Sequence, residues 1–287
     1  MKKVLVVSNY RAGRKTAVLN KKTLRKFLHK NSESFKIVDI CEVDHIETSD
    51  FDTIIAMGGD GTINKVLPLV INTDKTLGII PCGTANLLAA KLGIPCNVKK
   101  ALAIIEQQET KKIDAISINE EPCILRFGLG YDSDIIGKTP QSLKNKFGYF
   151  SYFISGILFA LRLKPQNYHI TYDNNDIEVN ASCIIVANAA NMYQNLVSVG
   201  NKCKLDDGLM DIFILKTKNP IVFFIELLNI FFKHRVNNPR AIYFKAKDLK
   251  IKNKLCLGHI DGEKMKLRGN LDFEVLKHAI KVYCNNT

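Results

Sequence analysis

Three times between Lys3 and Leu92 the chain runs a short apolar stretch into a glycine-bearing loop and then into residues spaced like a helix. Lys3 to Ser8 enters Asn9-Tyr10-Arg11-Ala12-Gly13 and a helix over Arg14 to His29. Thr53 to Met57 enters Gly58-Gly59-Asp60-Gly61 and a helix from about Thr62 to Ile71. Leu77 to Ile80 enters Pro81-Cys82-Gly83-Thr84 and a helix that stops at Leu92, before Gly93 and Pro95. Phe35 to Ile40 reads as a further strand and Val98 to Gln108 as a further helix. This order predicts an α/β domain with a parallel sheet, because parallel neighbours need a crossover between them. Its loops then gather at the carboxyl ends of the strands, where open sheets of this kind bind ligands, and a nucleotide belongs there.

From Ala115 onward the pattern turns to alternating strands at Ser117 to Phe127, Tyr168 to Tyr172, Ala181 to Ala187, Leu209 to Leu215 and Ala241 to Ile251. A second, β-rich domain is expected there, antiparallel and sandwich-like, with boundaries at 1–115 and 116–271. At 287 residues the chain exceeds what one ordinary core usually organises.

The eight cysteines show no C-x-x-C or similar metal-ligand spacing, and they read as reduced buried thiols. Met1-Lys2-Lys3 precedes only a short apolar run, so no signal peptide is expected and the chain should remain cytoplasmic. Phe147 to Leu161 is uncharged but falls short of the roughly 17–25 residues of a spanning helix; Ile221 to Phe232 is shorter and carries Glu226. Two buried helices are the expected reading of these runs, with lipid-contacting surfaces the alternative. The net charge of +13 predicts attraction to polyanions such as nucleic acid, nucleotides or an anionic membrane, and charge alone does not choose among them; with no spanning segment expected, attachment to a membrane surface would be peripheral. No zinc finger or RNP aromatic signature accompanies that charge, so nucleic acid is not expected as a partner.

Gly58-Gly59-Asp60-Gly61-Thr62 stands between strand and helix, where glycines let the backbone approach phosphate oxygens and a helix start offers N–H donors. No Gly-Lys-Ser/Thr follows, so it is not a Walker A loop. GGDGTIN followed by PCGTANLLAAKLGIP resembles the catalytic domain of the diacylglycerol kinase family, bacterial lipid kinases and sphingosine kinases included. Gly128-Leu129-Gly130-Tyr131-Asp132, the run from Lys204 to Asp211, and Asp261-Gly262-Glu263 resemble the same family in the same order.

The resemblance implies an ATP- and Mg²⁺-dependent lipid kinase, diacylglycerol being the first-choice acceptor, with segment 272–287 returning to the first domain. ATP would be held by Gly58, Gly59, Asp60, Gly61, Thr62, Ile63 and Asn64, by Gly83, Thr84 and Asn86, and by Asn9 and Gly13 of a phosphate loop in which Tyr10 replaces the family's proline. Glu263 would be the general base, and Asp60 and Asp114 the carboxylates of the catalytic magnesium. Leu87 stands where many relatives carry a third aspartate. The Lys204 carbonyl, Asp207 and the Leu209 carbonyl would hold a structural Mg²⁺ or Ca²⁺; without the family, Asp206-Asp207-Gly208 reads as a hairpin turn. Self-association as a homodimer is a further expectation. Only a dozen residues lie between Ile40 and Thr53, where the family places a helix, which points to a truncated adenine side.

Two other readings stay open. NAD kinase shares the GGDGT loop but not the later motifs, and a non-catalytic lipid-binding regulator would account for Leu87 while leaving Asp60, Asp114 and Glu263 unexplained.

Overall fold

The computed structural model describes residues 1–9, 17–130, 165–188, 191–193, 197–198, 204–219, 222, 225–226, 239–252, 256–267 and 269–285. The elements run β1 (Lys3–Ser8), α1 (Ala17–Asn31), β2 (Ser34–Asp39), a 3₁₀ turn (Ile40–His45), β3 (Thr53–Gly58), α2 (Asp60–Val70), β4 (Thr76–Pro81), α3 (Leu87–Lys91), α4 (Val98–Gln107) and β5 (Thr110–Ile118). Strands then dominate: β6 (Glu121–Cys123), β7 (Arg126–Gly130), β8 (Gln166–Tyr172), β9 (Asn175–Ala181), β10 (Cys183–Ala187), β11 (Asn191–Tyr193) and β12 (Val197–Ser198). They continue with β13 (Met210–Leu215), β14 (Ala241–Ala246), β15 (Asp248–Lys252), β16 (Cys256–Ile260), β17 (Glu263–Leu267) and β18 (Asn270–Tyr283). The chain divides into two compact units, one built on Met1–Asp114 and Lys277–Thr287, the other on Ala115–Met192 and Leu196–Leu276.

In the first unit the parallel strands lie in the order β2-β1-β3-β4, and Lys281 and Val282 of β18 add a parallel partner to β4. Every residue of β3 and β4 is buried, the mark of strands covered on both faces, which is why they read as continuous apolar runs. Leu24 and Leu28 of α1 and Leu102 and Ile105 of α4 share a core with Val4, Val6, Ile55, Met57 and Ile80. The order reverses between β1 and β3: the chain leaves β1 outward to β2 and returns to β3 on the other side. This is the switch point at which such sheets leave a crevice. The ends of the two strands are tied there by the Asn9 N–H, which donates to the Met57 carbonyl at 3.0 Å.

The interval between Ile40 and Thr53 holds a 3₁₀ turn, capped by the Asp39 carboxylate on the Cys41 N–H. The helix expected to follow Thr84 starts only at Leu87, because Asn86 adopts a left-handed conformation (φ 49°, ψ 47°) that interrupts it.

In the second unit, β14-β13-β10-β7-β16-β17 form an antiparallel sheet. A second antiparallel layer is made by β8, β9, β15 and the first part of β18. One apolar core joins the layers: Phe127, Leu129, Ile184, Ile212 and Ile214 on one side, Tyr168, Ile170, Leu249, Ile251 and Phe273 on the other. Phe127 meets Phe273 edge to face at 5.0 Å, which completes a β-sandwich.

Three runs that read as single strands are divided. Ser117 to Phe127 folds back at Asn119 and Glu120, both at positive φ, a two-residue hairpin turn. Ala181 to Ala187 changes sheet at Ser182, whose N–H donates to Leu215 O. Ala241 to Ile251 changes sheet at Lys247, where the Asp173 carboxylate accepts from the N–H groups of Lys247 and Asp248 at 3.0 and 3.2 Å. Those donors would otherwise have continued one ladder.

Candidate active site

The strand β3 ends at Gly58 and α2 begins at Asp60, with Gly59 at its N-cap and no side chain capping the helix. Gly58 is required by Thr62, whose Oγ1 lies 2.1 Å from where a Cβ on Gly58 would stand. A Cβ on Gly83 would stand 2.5 Å from the Gly59 Cα, and one on Gly59 3.1 Å from the Gly83 Cα. The two glycine loops therefore touch through bare backbone. Gly61 differs: its φ is not positive and, among the described residues beyond its own helix backbone, nothing lies within 4 Å of where a Cβ would sit. Neither conformation nor internal packing asks for glycine at that exposed position.

Asn86 braces the second loop. Its Oδ1 accepts the Gly83 N–H at 2.9 Å while its Nδ2 donates to the Gly83 carbonyl at 2.8 Å and to Cys96 Sγ at 3.4 Å. The side chain is buried, so its amide is committed to holding the turn. Asp60, half-buried in the first turn of α2, accepts the Leu88 N–H at 3.4 Å and so links the two loops. Thr62 and Ile63 are buried beneath the loop, Asn64 is half-buried, and Thr84 is exposed. The Thr62 hydroxyl makes no hydrogen bond among the described residues. Leu87 is half-buried at the first position of α3, with Leu88 fully buried beside it. Burial also raises the Cys82 thiol pKa, with Cys96 adding to the shift.

Asp114, on β5, is fully buried, and its Oδ1 accepts the His278 N–H at 2.7 Å. His278 sits at φ 52°, so this carboxylate supports a left-handed residue in the middle of β18. Gly13 and Tyr10 lie outside the described residues, as do Tyr131, Asp132 and the run from Phe147 to Leu161. Of Ile221 to Phe232 only Val222, Ile225 and Glu226 are described; Glu226 is buried, with Arg240 at 3.8 Å. Among the described residues no helix is long and apolar enough to cross a membrane.

In the second unit, Asp261 and Gly262 form the two-residue turn between β16 and β17, at φ 49° and 94°, and exposed Glu263 follows opposite Ile260. Sequence reasoning gave Asp261 no role of its own. Its Oδ1 accepts from the N–H groups of Leu125 and Arg126 at 2.9 and 2.7 Å and from the Cys123 thiol at 3.2 Å, while Oδ2 accepts from Ile124 N–H at 2.9 Å. Burial pushes the Asp261 carboxyl above its ordinary range, opposed by the N–H groups of Ile124 and Arg126, the Cys123 thiol and the Leu125 N–H. Burial, with the neighbouring carboxylate, pushes the Cys123 thiol well up too. The Gly262 N–H donates to Nδ1 of fully buried His259 at 3.3 Å. The turn that carries Glu263 is thereby held from both sides.

Lys204 is exposed and Asp207 and Leu209 half-buried in the loop before β13. The Leu209 N–H donates to Asp207 Oδ1 at 3.2 Å, and Lys245 Nζ stands 2.7 Å from Asp207 Oδ2. Among the described residues no three His, Cys, Asp or Glu side chains group as a metal site.

The family model for the diacylglycerol kinase catalytic domain matches residues 3–118, and that for the YegS C-terminal NAD kinase beta sandwich-like domain matches residues 127–284. The chain belongs to the diacylglycerol kinase family. A diacylglycerol kinase of Bacillus subtilis (strain 168) is 29% identical over 280 residues, covering 92% of this chain and 90% of that protein. One from Staphylococcus haemolyticus is 30% identical over 223 residues, 75% and 66% of the two chains. An uncharacterized protein of Synechocystis sp. is 33% identical over 186 residues, 65% of this chain but only 43% of its own length. A crystal structure of a diacylglycerol kinase from Bacillus anthracis str. Sterne, 22% identical, shares the fold at a TM-score of 0.77, covering 99% of this chain and 97% of that one. A further crystal structure from that organism reaches 0.82 at 25% identity with the same coverage. The diacylglycerol kinase family resemblance carried by the glycine loops and Asp261-Gly262-Glu263 thus runs through both units.

Proposed function

We propose that this member of the diacylglycerol kinase family is an ATP- and Mg²⁺-dependent lipid kinase that phosphorylates a lipid hydroxyl, diacylglycerol in the first instance, at an anionic membrane surface. The observation that carries the reading is Gly61. A glycine that neither packing nor backbone conformation needs, exposed in the first turn of a helix without a side-chain cap, suits the close approach of something from outside the chain. Phosphate oxygens fit that position, because the helix start presents N–H donors and the positive end of the helix dipole. The contact of Gly59 with Gly83 would keep both loops bare, and Asn86 would fix the second from behind.

The half-buried Asp60 carboxylate offers the hard oxygen that Mg²⁺ takes, and Asp114 is the second carboxylate we assign to it. When bound, that ion neutralises charge on the phosphates. Glu263 is assigned the base role on its motif and on the fixed turn that presents it. As the lipid hydroxyl attacks the γ-phosphorus, its O–H bond breaks and the proton passes to a Glu263 carboxylate oxygen. The new O–P bond forms while the bond from γ-phosphorus to the ADP oxygen breaks, and ADP leaves with the electron pair.

The test is incubation with γ-labelled ATP, Mg²⁺ and a total lipid extract, with NAD in a parallel reaction. Label on a lipid alcohol supports the proposal and identifies the acceptor. Label on NAD alone, or none in either reaction, overturns it.

A further inference from the structure

The loop from Lys204 to Leu209 resembles a structural cation loop, yet its carboxylate already has a cationic partner. Asp207 Oδ2 lies 2.7 Å from Lys245 Nζ, and Asp207 Oδ1 accepts the Leu209 N–H at 3.2 Å. The same ammonium is 3.6 Å from Oδ1 of Asp211, a carboxylate only 3% exposed that also accepts from the Tyr243 hydroxyl. The strand register explains the arrangement. Asp211 on β13 stands directly opposite Lys245 on β14, so the lysine stem starts beside one carboxylate and extends to the other.

A nearly buried carboxylate such as Asp211 is tolerated only when its charge is met, and here one ammonium faces both it and the half-buried Asp207. A divalent cation would need to approach Asp207 to about 2.0–2.6 Å. Both oxygens of that carboxylate already face positive hydrogens, from an ammonium and from a backbone N–H. The donor set therefore does not fit a second cation while Lys245 is in place.

We propose that Lys245 is the built-in cation of this loop: its ammonium takes the position a structural divalent metal would fill, and the turn at Asp206-Asp207-Gly208 forms without metal. The proposal does not depend on the reaction, because its readout is folding.

The experiment measures the Tm of the full chain, without nucleotide, in EDTA and in millimolar Mg²⁺ or Ca²⁺, for the wild type, Lys245→Met, Lys245→Arg and Asp207→Asn. The wild type should show no metal response that Asp207→Asn removes, which sets aside ions bound at other carboxylates. Lys245→Met should lower the Tm by roughly 5 °C or more, since it removes the ammonium that both carboxylates face. Millimolar Mg²⁺ or Ca²⁺ should recover part of that loss, and Lys245→Arg, which keeps the charge, should lose less. A wild-type Tm that falls in EDTA, returns with the metal and loses this response in Asp207→Asn would overturn the proposal. So would a Lys245→Met protein as stable as the wild type. Should Lys245→Met fail to fold, the wild-type and Asp207→Asn comparison still decides between the two.

Discussion

The backbones of Gly59 and Gly83 meet so closely that a methyl group on Gly83 would sit 2.5 Å from the Gly59 Cα. No side-chain rotation relieves such a clash. Gly83→Ala is expected to destabilise the protein by about 1–3 kcal/mol through overpacking and to abolish nucleotide binding. Gly61→Ala has open space and lies within α2, so it should fold at an unchanged or slightly raised Tm, a gain of up to about 1 kcal/mol. It should still weaken nucleotide binding roughly tenfold or more, about 1.4 kcal/mol. Thermal melts and nucleotide titration of both variants check this, and undiminished affinity in Gly61→Ala removes the loop from phosphate binding.

Glu263→Gln keeps size and removes the proton acceptor. It should lower kcat by roughly 10²–10⁴ while leaving Tm and the affinity for ATP near wild type. Steady-state kinetics and a binding titration test it. Turnover within a few-fold of wild type sinks the base assignment.

Asp261 gives a pH signature in stability. Because burial raises its carboxyl pKa in the folded state, the native chain holds that proton more tightly than the unfolded one. Its contribution is therefore fully present below the unfolded value of about 3.9 and is lost as pH rises through the folded value. Denaturant unfolding of wild type and Asp261→Asn, compared from about pH 3.5 to 7, should show their difference in stability shrinking as pH rises. A difference that grows with pH would mean that the N–H donors outweigh burial.

Asp114→Asn keeps an oxygen that can accept the His278 N–H, so the fold should persist. Activity should nearly vanish, and any remaining turnover should need more Mg²⁺. Asp114→Ala, which deletes the acceptor, should also destabilise the protein by about 1–3 kcal/mol. A fully active Asp114→Asn with ordinary Mg²⁺ dependence confines this residue to supporting His278.

Binding to anionic vesicles should be reversible and weaken steeply with added salt, as a net charge of +13 near a negative surface requires. Sedimentation across a salt series measures it. Salt-independent binding would instead identify insertion of an apolar surface.

The α/β unit was largely legible because its signals are local. The glycine loops follow their strands directly, and strands covered on both faces read as unbroken apolar runs. The division at Lys247 left only a shift of phase in the sequence, from Phe244 and Ala246 to Leu249 and Ile251, and the break itself is made by Asp173, far away in sequence. Nor could spacing reveal Asp261 as an anchor, because its donors come from residues 124–126. Lys245 looked like one surface lysine among many until register placed it opposite Asp211. The shortened α3 turned on Asn86, whose left-handed conformation depends on its own bonds to Gly83.

The pairing of Lys281 and Val282 with Thr76 and Leu77 gives the first unit a late step in its making. During synthesis, β1 through β4 emerge long before the strand that pairs with β4 has been translated. Throughout that interval β4 presents an open edge of unpaired N–H and carbonyl groups, the kind of surface on which nascent chains associate wrongly. The unit that carries the glycine loops thus reaches its finished sheet only after the whole β-sandwich has left the ribosome, and its maturation is timed by the last residues of β18.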